Sequence, residues 1–282
     1  MQNKIISNVY KCPVCGANMS CDDRSAFCCG EKRHCFDFSS SGYLNLATRY
    51  SGGGDSKSAV RARTVFLEND YYLPIARRLC EIVNNYSEDG VVIDAGCGEG
   101  YYTNIIAKCH KGGVLGFDLS KFAVDHAAKA AKRNEISNIS YSVANIFELP
   151  VKDSCADIVT NVFAPCASEE FFRLLRDNGI LILCGAGENH LYELKRIIYN
   201  DVYINGKRND LPPKSMFCQI DKQILSFEAE IEGNEMINSL FSMTPYYWRT
   251  SVDDKAKLNG IDHLRTRVEV EFYVYKKIRK GI

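Results

Sequence analysis

The sequence has no long apolar run, no net charge and almost no tryptophan. The missing apolar run excludes a bilayer-spanning helix. The start, MQNKIISNVYKCP, lacks the apolar core of a signal peptide, so the expected location is the cytoplasm. Lys and Arg number 35 and Asp and Glu number 35, for a formal net charge of +0. A nucleic-acid surface would therefore have to come from local clustering, not from a global basic excess. Trp248 is the only tryptophan. Internal repeats are absent too. Cysteine, by contrast, is plentiful: there are 13, an odd count that argues against a closed disulfide framework. Cys80, Cys97, Cys109 and Cys184 sit among apolar neighbours and read as reduced core residues. A chain of 282 residues can bury one substantial core and carry a small appendage.

The segment from Val91 to Tyr102, VVIDAGCGEGYY, organises the rest. Val91, Val92 and Ile93 suit a strand buried on both faces. Asp94 ends that run, and Gly96, Gly98 and Gly100 follow at every second position. Alternating glycines leave no Cβ between backbone and ligand and permit tight turns. Tyr101 to Lys108 has helix-forming composition. Strand, glycine turn and helix together make a nucleoside-cofactor site at the end of a parallel strand. The spacing is D-x-G-x-G-x-G and not the dinucleotide G-x-G-x-x-G, and Asp94 would repel a pyrophosphate. S-adenosylmethionine, with a sulfonium and an ammonium, fits better. The pattern resembles the first motif of Rossmann-like methyltransferases. A second acid should close the next strand and take the ribose hydroxyls; Gly113 to Asp118 supplies it in Asp118, with Leu119 and Ser120 leading into a helix. The competing reading is a turn and a helix N-cap in an α/β protein with another ligand.

Before this domain lies a cysteine cluster. Cys12-Pro-Val-Cys15-Gly16 makes a knuckle that points two thiolates at one ion. Cys21, Cys28, Cys29, His34 and Cys35 follow, and the set favoured for Zn2+ is Cys12, Cys15, Cys28 and His34, with Cys29 an alternative to Cys28. So short a segment builds no core alone and needs a staple, so the zinc is expected to be structural, with all four positions filled. Lys11, Arg24, Lys32, Arg33, Arg49, Lys57, Arg61 and Arg63 surround this module and its linker. They offer an RNA-contacting surface, or an ordinary solvated face.

The remaining chain alternates. Helical patterning covers Ser58 to Asn85, with Pro74 starting a second helix, and Lys121 to Asn134. Strands are expected at Ile139 to Ala144, Cys155 to Val162 and Leu181 to Cys184, with later ones at Ser226 to Ile231 and Arg267 to Tyr275. The expected fold is α/β: a Rossmann-like methyltransferase domain over residues 88–282, a zinc ribbon over 1–46, and linker helices over 47–87. The cofactor candidates are Asp94, Gly96, Gly98, Gly100, Tyr102, Asp118, Leu119, Ala144 and Asn145. Asn161 to Cys166, NVFAPC, would border the same pocket. It lacks the Asn/Asp-Pro-Pro-aromatic run of exocyclic amine methylation. Pro165-Cys166 offers a nucleophile of the pyrimidine-C5 kind, but no base or orienting partner can be named for it.

Taken together, CPVCG, HCFDFSSSGYLNL, GDS with Arg63 and FL, DAGCGEGYYT, GFDLSK, FAPC, HLYELKRIIYNDV and MTPYYWR span nearly the whole chain. In that order they resemble the bacterial 23S rRNA (guanine-N1)-methyltransferase family. Tyr203 to Gln223 matches nothing, and the Cys28-Cys29 doublet departs from the pattern. The resemblance implies methyl transfer from S-adenosylmethionine to N1 of a guanine in a 23S rRNA hairpin loop, and a homodimer. N1 of neutral guanine carries a proton, so the base must be splayed out, aligned and deprotonated. Phe163, Tyr246, Tyr247 and Trp248 are candidate stacking residues. Glu99, Asp157 and His190 are candidates for the base, each with a structural alternative, so the catalytic residue is unassigned. The other readings are a small-molecule methyltransferase with a purely structural ribbon, and an RNA-binding module with an inactive cofactor domain.

Overall fold

The structure, a computed structural model, describes residues 9–28, 33–48, 55–201, 204–206 and 208–278. Cys29, Lys32, Arg49 and the glycines at 52–54 lie outside the described residues. In chain order the strands are β1 Met19–Cys21, β2 Ser25–Cys28, β3 Cys35–Asp37, β4 Leu44–Asn45, β5 Val92–Ala95, β6 Val114–Asp118, β7 Ile139–Val143, β8 Ala156–Val162, β9 Leu175–Ala186, β10 Phe217–Glu232 and β11 His263–Lys277. The helices are α1 Lys57–Glu68, α2 Leu73–Tyr86, α3 Tyr101–Cys109, α4 Lys121–Arg133, α5 Ser168–Leu174, α6 Tyr192–Ile198, α7 Asn234–Ser242 and α8 Val252–Ala256.

Eight strands form one sheet in the order β10-β11-β9-β8-β5-β6-β7-β4. From β4 to β9 the neighbours are parallel, and β11 and β10 close the far side antiparallel. Every residue of β5, β7 and β8 is buried, which is why these segments read as continuous apolar runs. From β5 the chain winds outward through β6 and β7, then returns to the other side of β5 as β8. That reversal opens a crevice at the carboxyl ends of β5 and β8. Helix α4 lies close against the sheet because its buried face is mostly alanine: Ala123, Ala127, Ala128, Ala130 and Ala131.

Three elements depart from the sequence-based expectation. The fifth core strand, expected at Leu181 to Cys184, runs from Leu175 to Ala186. Asn178 and Gly179, expected as a turn, form a bulge inside it, with Asn178 at φ 62. The two antiparallel strands are also much longer than expected, because one face of the β10–β11 hairpin meets solvent and its polar residues break the apolar pattern.

The cysteine-rich segment forms a three-stranded antiparallel sheet, β1-β2-β3. It has no separate core. Val9, Tyr10, Met19, Ala26 and Leu44 are buried in one cluster with Ile93, Phe117 and Val151 of the main domain. Tyr10 is fully buried, and its hydroxyl meets Ser142 of β7 at 3.0 Å. β4 pairs in parallel with β7, so the end of the segment expected to be ribbon supplies the main sheet's edge.

Gly100, at φ +80, caps α3; a Cβ there would come within 2.6 Å of both Ala127 Cβ and the Tyr141 hydroxyl. Gly100→Ala adds left-handed strain to a clash across the α3–α4 contact, and should cost about 2–4 kcal/mol. Denaturant unfolding of the full chain measures it, and a cost under about 1 kcal/mol would contradict this packing.

Candidate active site and metal centre

At the end of β5 the Asp94 carboxylate is 2% exposed. Oδ2 accepts from the Thr103 hydroxyl of α3 at 2.5 Å, and Oδ1 accepts from the Thr160 hydroxyl of β8 at 2.9 Å. Asp94 therefore ties three elements around the glycine turn and does not stand open in the crevice. Its negative charge acts from just below the turn. Burial pushes this carboxyl up to about 6, against the pull of the two hydroxyls, with Asp118 adding to the rise.

Above it the turn is built as a cradle. Gly96 sits at φ +86, and a Cβ there would be 2.6 Å from Ala164 Cβ, across the crevice. Gly98, at φ +53, donates its N–H to Asp118 Oδ2 at 3.0 Å, while Asp118 Oδ1 accepts from Ser120 N at 2.7 Å. Each Asp118 oxygen keeps a lone pair free for a ribose hydroxyl. Leu119 follows directly, and Ala144 and Asn145 leave β7 beside them, where Ala144 N donates to Asp118 O at 3.0 Å. Gly100 lies below as the cap of α3. Tyr102, on that helix, points a hydroxyl into the interior that makes no hydrogen bond. A gap in the backbone, paired carboxylates and an uncovered strand end fit the cationic nucleoside S-adenosylmethionine.

Arg63 departs from expectation. Placed by sequence among the RNA-facing cations, it turns inward from α1, with Nε 2.5 Å from Glu99 Oε2 and a second nitrogen 2.5 Å from Asp55 Oδ2. Burial works against the charge of this guanidinium, but the two carboxylates prevail and raise its pKa. Glu99 is thereby committed to an ion pair. Asp157 is placed at the start of β8, at the opposite end of the sheet, where it accepts from Val91 N at 2.8 Å and pairs with Arg176. His190 Nδ1 accepts from Glu269 N at 3.3 Å, which puts the ring proton on Nε2, facing the Tyr72 hydroxyl at 3.4 Å. Burial lowers the His190 pKa to about 4. All three base candidates are structural.

Phe163 stands at the carboxyl end of β8 with φ 51 and 44% exposure, backed by Tyr72 and His190 with ring centroids 6.4 and 5.9 Å away. Trp248 is 75% exposed, whereas Tyr246 is buried against Phe241 and Tyr199 and offers no stacking face. Tyr247 is covered by the Lys255 ammonium, 4.0 Å from the ring centre. Burial raises the Cys166 pKa, and its sulfur lies 3.3 Å from the Ser168 hydroxyl, so it is not an activated nucleophile. Tyr72 and Arg208, both at this site, carried no motif by which sequence could find them.

In the ribbon, one donor atom from each of Cys12, Cys15, Cys28 and His34 lies within 4.8 Å of the others. Gly16, at φ 72, turns the knuckle, and Gly16 N donates to Cys12 O at 2.8 Å. His34 Nδ1 is 3.5 Å from Cys12 Sγ and 3.8 Å from Cys28 Sγ. Tetrahedral zinc, with Zn–S near ~2.3 Å, requires donors this close together. Three thiolates and an imidazole leave no open position for water.

A family described as "Methyltransferase domain" matches residues 87–231, slightly more than half of the chain, and one described as "RlmA, N-terminal" matches residues 10–47. A Streptomyces fradiae protein named 23S rRNA (guanine(748)-N(1))-methyltransferase is 32% identical over 68% of this chain and 68% of its own length. The chain belongs to the 23S rRNA (guanine-N1)-methyltransferase family. A further member, YxjB of Bacillus subtilis (strain 168), named as a candidate 23S rRNA (guanine-N(1)-)-methyltransferase, is 25% identical over 98% of this chain and 100% of its own. The family's methyltransferase domain and zinc ribbon are thus both present, and its cofactors are S-adenosylmethionine and zinc.

Because the folded pKa of Asp94 exceeds that of an unfolded carboxyl, its contribution to stability is complete below the ordinary carboxylate range and is lost as pH rises through about 6. Asp94→Asn should therefore raise the unfolding free energy of the ligand-free protein above pH 6 by about 1–3 kcal/mol. A cationic cofactor favours the ionised form, so its affinity for the native protein should fall as pH drops through 6, and the Asn variant should lose that dependence. Titration calorimetry on both proteins reads the difference; parallel pH profiles would refute the electrostatic role. At the metal centre, Cys12→Ser should lower zinc content from about one per chain and lower the melting temperature of the whole molecule, since the ribbon shares its core with the main domain.

Proposed function

We propose that this protein transfers a methyl group from S-adenosylmethionine to N1 of a guanine in a 23S rRNA hairpin loop. The observation that carries the reading is the family relationship extending over both the ribbon and the cofactor domain, 98% of this chain in the Bacillus subtilis relative. A small-molecule methyltransferase would have no use for that ribbon beyond stability.

Bound S-adenosylmethionine supplies an electrophilic methyl group. The chain's own residues do the positioning: Gly96 and Gly98 let the backbone approach, Asp118 takes the ribose, and the buried Asp94 supplies negative charge beneath the cationic end. Phe163 is the platform for the extruded guanine, exposed on the crevice wall and stiffened from behind by Tyr72 and His190. Trp248, at the surface beyond Tyr246, suits a neighbouring loop nucleotide. Arg24 and Arg33 of the ribbon, the latter 4.8 Å over the Phe27 ring, and Lys57 and Arg61 of α1 are exposed cations for the phosphates. The protein works in the cytoplasm as a homodimer, with residues 1–46 as ribbon, 47–87 as linker helices and 88–282 as the methyltransferase domain.

Mass spectrometry of 23S rRNA from cells lacking the gene should show one methylguanine missing, restored by the purified zinc-loaded protein on the isolated hairpin. An unchanged modification pattern sinks the reading. Phe163→Ala should lower kcat/KM on the hairpin by about 10- to 100-fold, from the ~1–3 kcal/mol of a base–aromatic stack, with cofactor affinity unchanged.

A further inference from the structure

The segment from Tyr203 to Gln223 has no counterpart in the motifs above, yet it places one cation at the centre of the site. Arg208 has a side chain only 13% exposed. Its guanidinium enters between the ends of β8 and β9. One terminal nitrogen reaches Asn161 Oδ1 at 3.2 Å and Ala164 O at 3.0 Å, and the other reaches Cys184 O at 3.5 Å. Asp210 holds it there, with Oδ1 2.5 Å from Nε, and Asp210 Oδ2 also accepts from Cys166 N at 2.9 Å. Two side chains thus fasten Asn161, Ala164 and Cys166, the whole loop that carries Phe163.

The pattern fixes the orientation of Asn161. A guanidinium only donates, so the Asn161 oxygen must face Arg208. Its amide nitrogen is then free to donate to Ala95 O at 2.8 Å and Pro165 O at 3.1 Å. Ala95 is the last residue of β5 before the cofactor turn. A chain of two hydrogen bonds therefore runs from Arg208 through Asn161 to the cofactor cradle. Phe163 needs such bracing: its left-handed backbone is unfavourable for a bulky residue, and only its N–H bond to Cys184 O, at 2.9 Å, holds it from its own side. Arg208 shares that same carbonyl.

We infer that Arg208 and Asp210 are positioning residues that lock the Asn161-to-Cys166 loop across the crevice, keeping the Phe163 platform in register with the cofactor turn. The role in turnover rests on the proposed guanine reaction; the lock itself does not. Lysine cannot reproduce the fork of contacts, so Arg208→Lys keeps the charge and loses the lock.

Two readouts on the full zinc-loaded chain separate the possibilities. Hydrogen exchange resolved by mass spectrometry should show faster exchange at residues 161–167 in Arg208→Lys and in Asp210→Ala, with the β6 and β7 peptides unchanged. Single-turnover methylation of the hairpin at saturating RNA and cofactor should slow by roughly 10- to 100-fold, the scale of a misplacement near 1 Å. RNA KM and its salt dependence should stay as in the parent. Unaltered loop exchange in both variants overturns the lock. Faster exchange with a full single-turnover rate overturns its part in catalysis. A rate recovered by more RNA, with a shallower salt slope, shows Arg208 to be a phosphate contact instead. If the parent protein does not methylate the hairpin, the guanine reading fails, while the exchange result still decides the lock.

Discussion

The bonds from Thr103 and Thr160 to Asp94 are the constraint on which the cofactor site depends. A carboxylate 2% exposed at the end of a central strand would be costly without partners, and the two hydroxyls come from the helix after the turn and from the strand across the crevice. Satisfying one buried charge therefore closes the glycine turn, seats α3 and holds β8 against β5. The cost of desolvation that remains, visible in the raised pKa, is an electrostatic reserve that a cationic ligand can use. A charge buried under the cradle does its work without touching the ligand.

The two walls of the crevice are held by different chemistry. On the cofactor side, backbone amides do most of the holding, through Gly98 N and Ser120 N on Asp118. On the other wall, the Asn161-to-Cys166 loop has little regular backbone pairing, and side chains from distant segments support it: Arg208 and Asp210 from one side, Tyr72 and His190 from behind. His190 is informative in this respect. Its buried, neutral ring and its bond from Glu269 N make it a spacer behind Phe163, where a more accessible imidazole could have served as a base.

The ribbon follows a similar economy. Metal ligation replaces a core in small domains, but here the metal centre and a shared core act together, because Tyr10 and Leu44 insert into the apolar layer beside β6 and β7. With β4 added to the sheet edge, the ribbon cannot swing freely against the cofactor domain. Any surface it presents is therefore held at a set distance from the crevice.

The local features of this protein were legible in its sequence. The buried strands announced themselves as continuous β-branched runs, the turn as alternating glycines, and the metal centre as C-x2-C followed by Cys28 and His34. In each case neighbouring residues determine the conformation. Residues at the ends of β10 and β11 escaped notice because half of their side chains face water and carry no periodic signal. What only the tertiary structure decided was the use of each polar side chain: Asp94 as a buried strut, Arg63 turned inward onto Glu99, His190 as a neutral spacer, Arg208 as a clamp. A polar residue's role depends on which groups lie within 3 Å of it, and those arrive from positions tens of residues away. Sequence spacing sets the backbone, but it does not record those meetings.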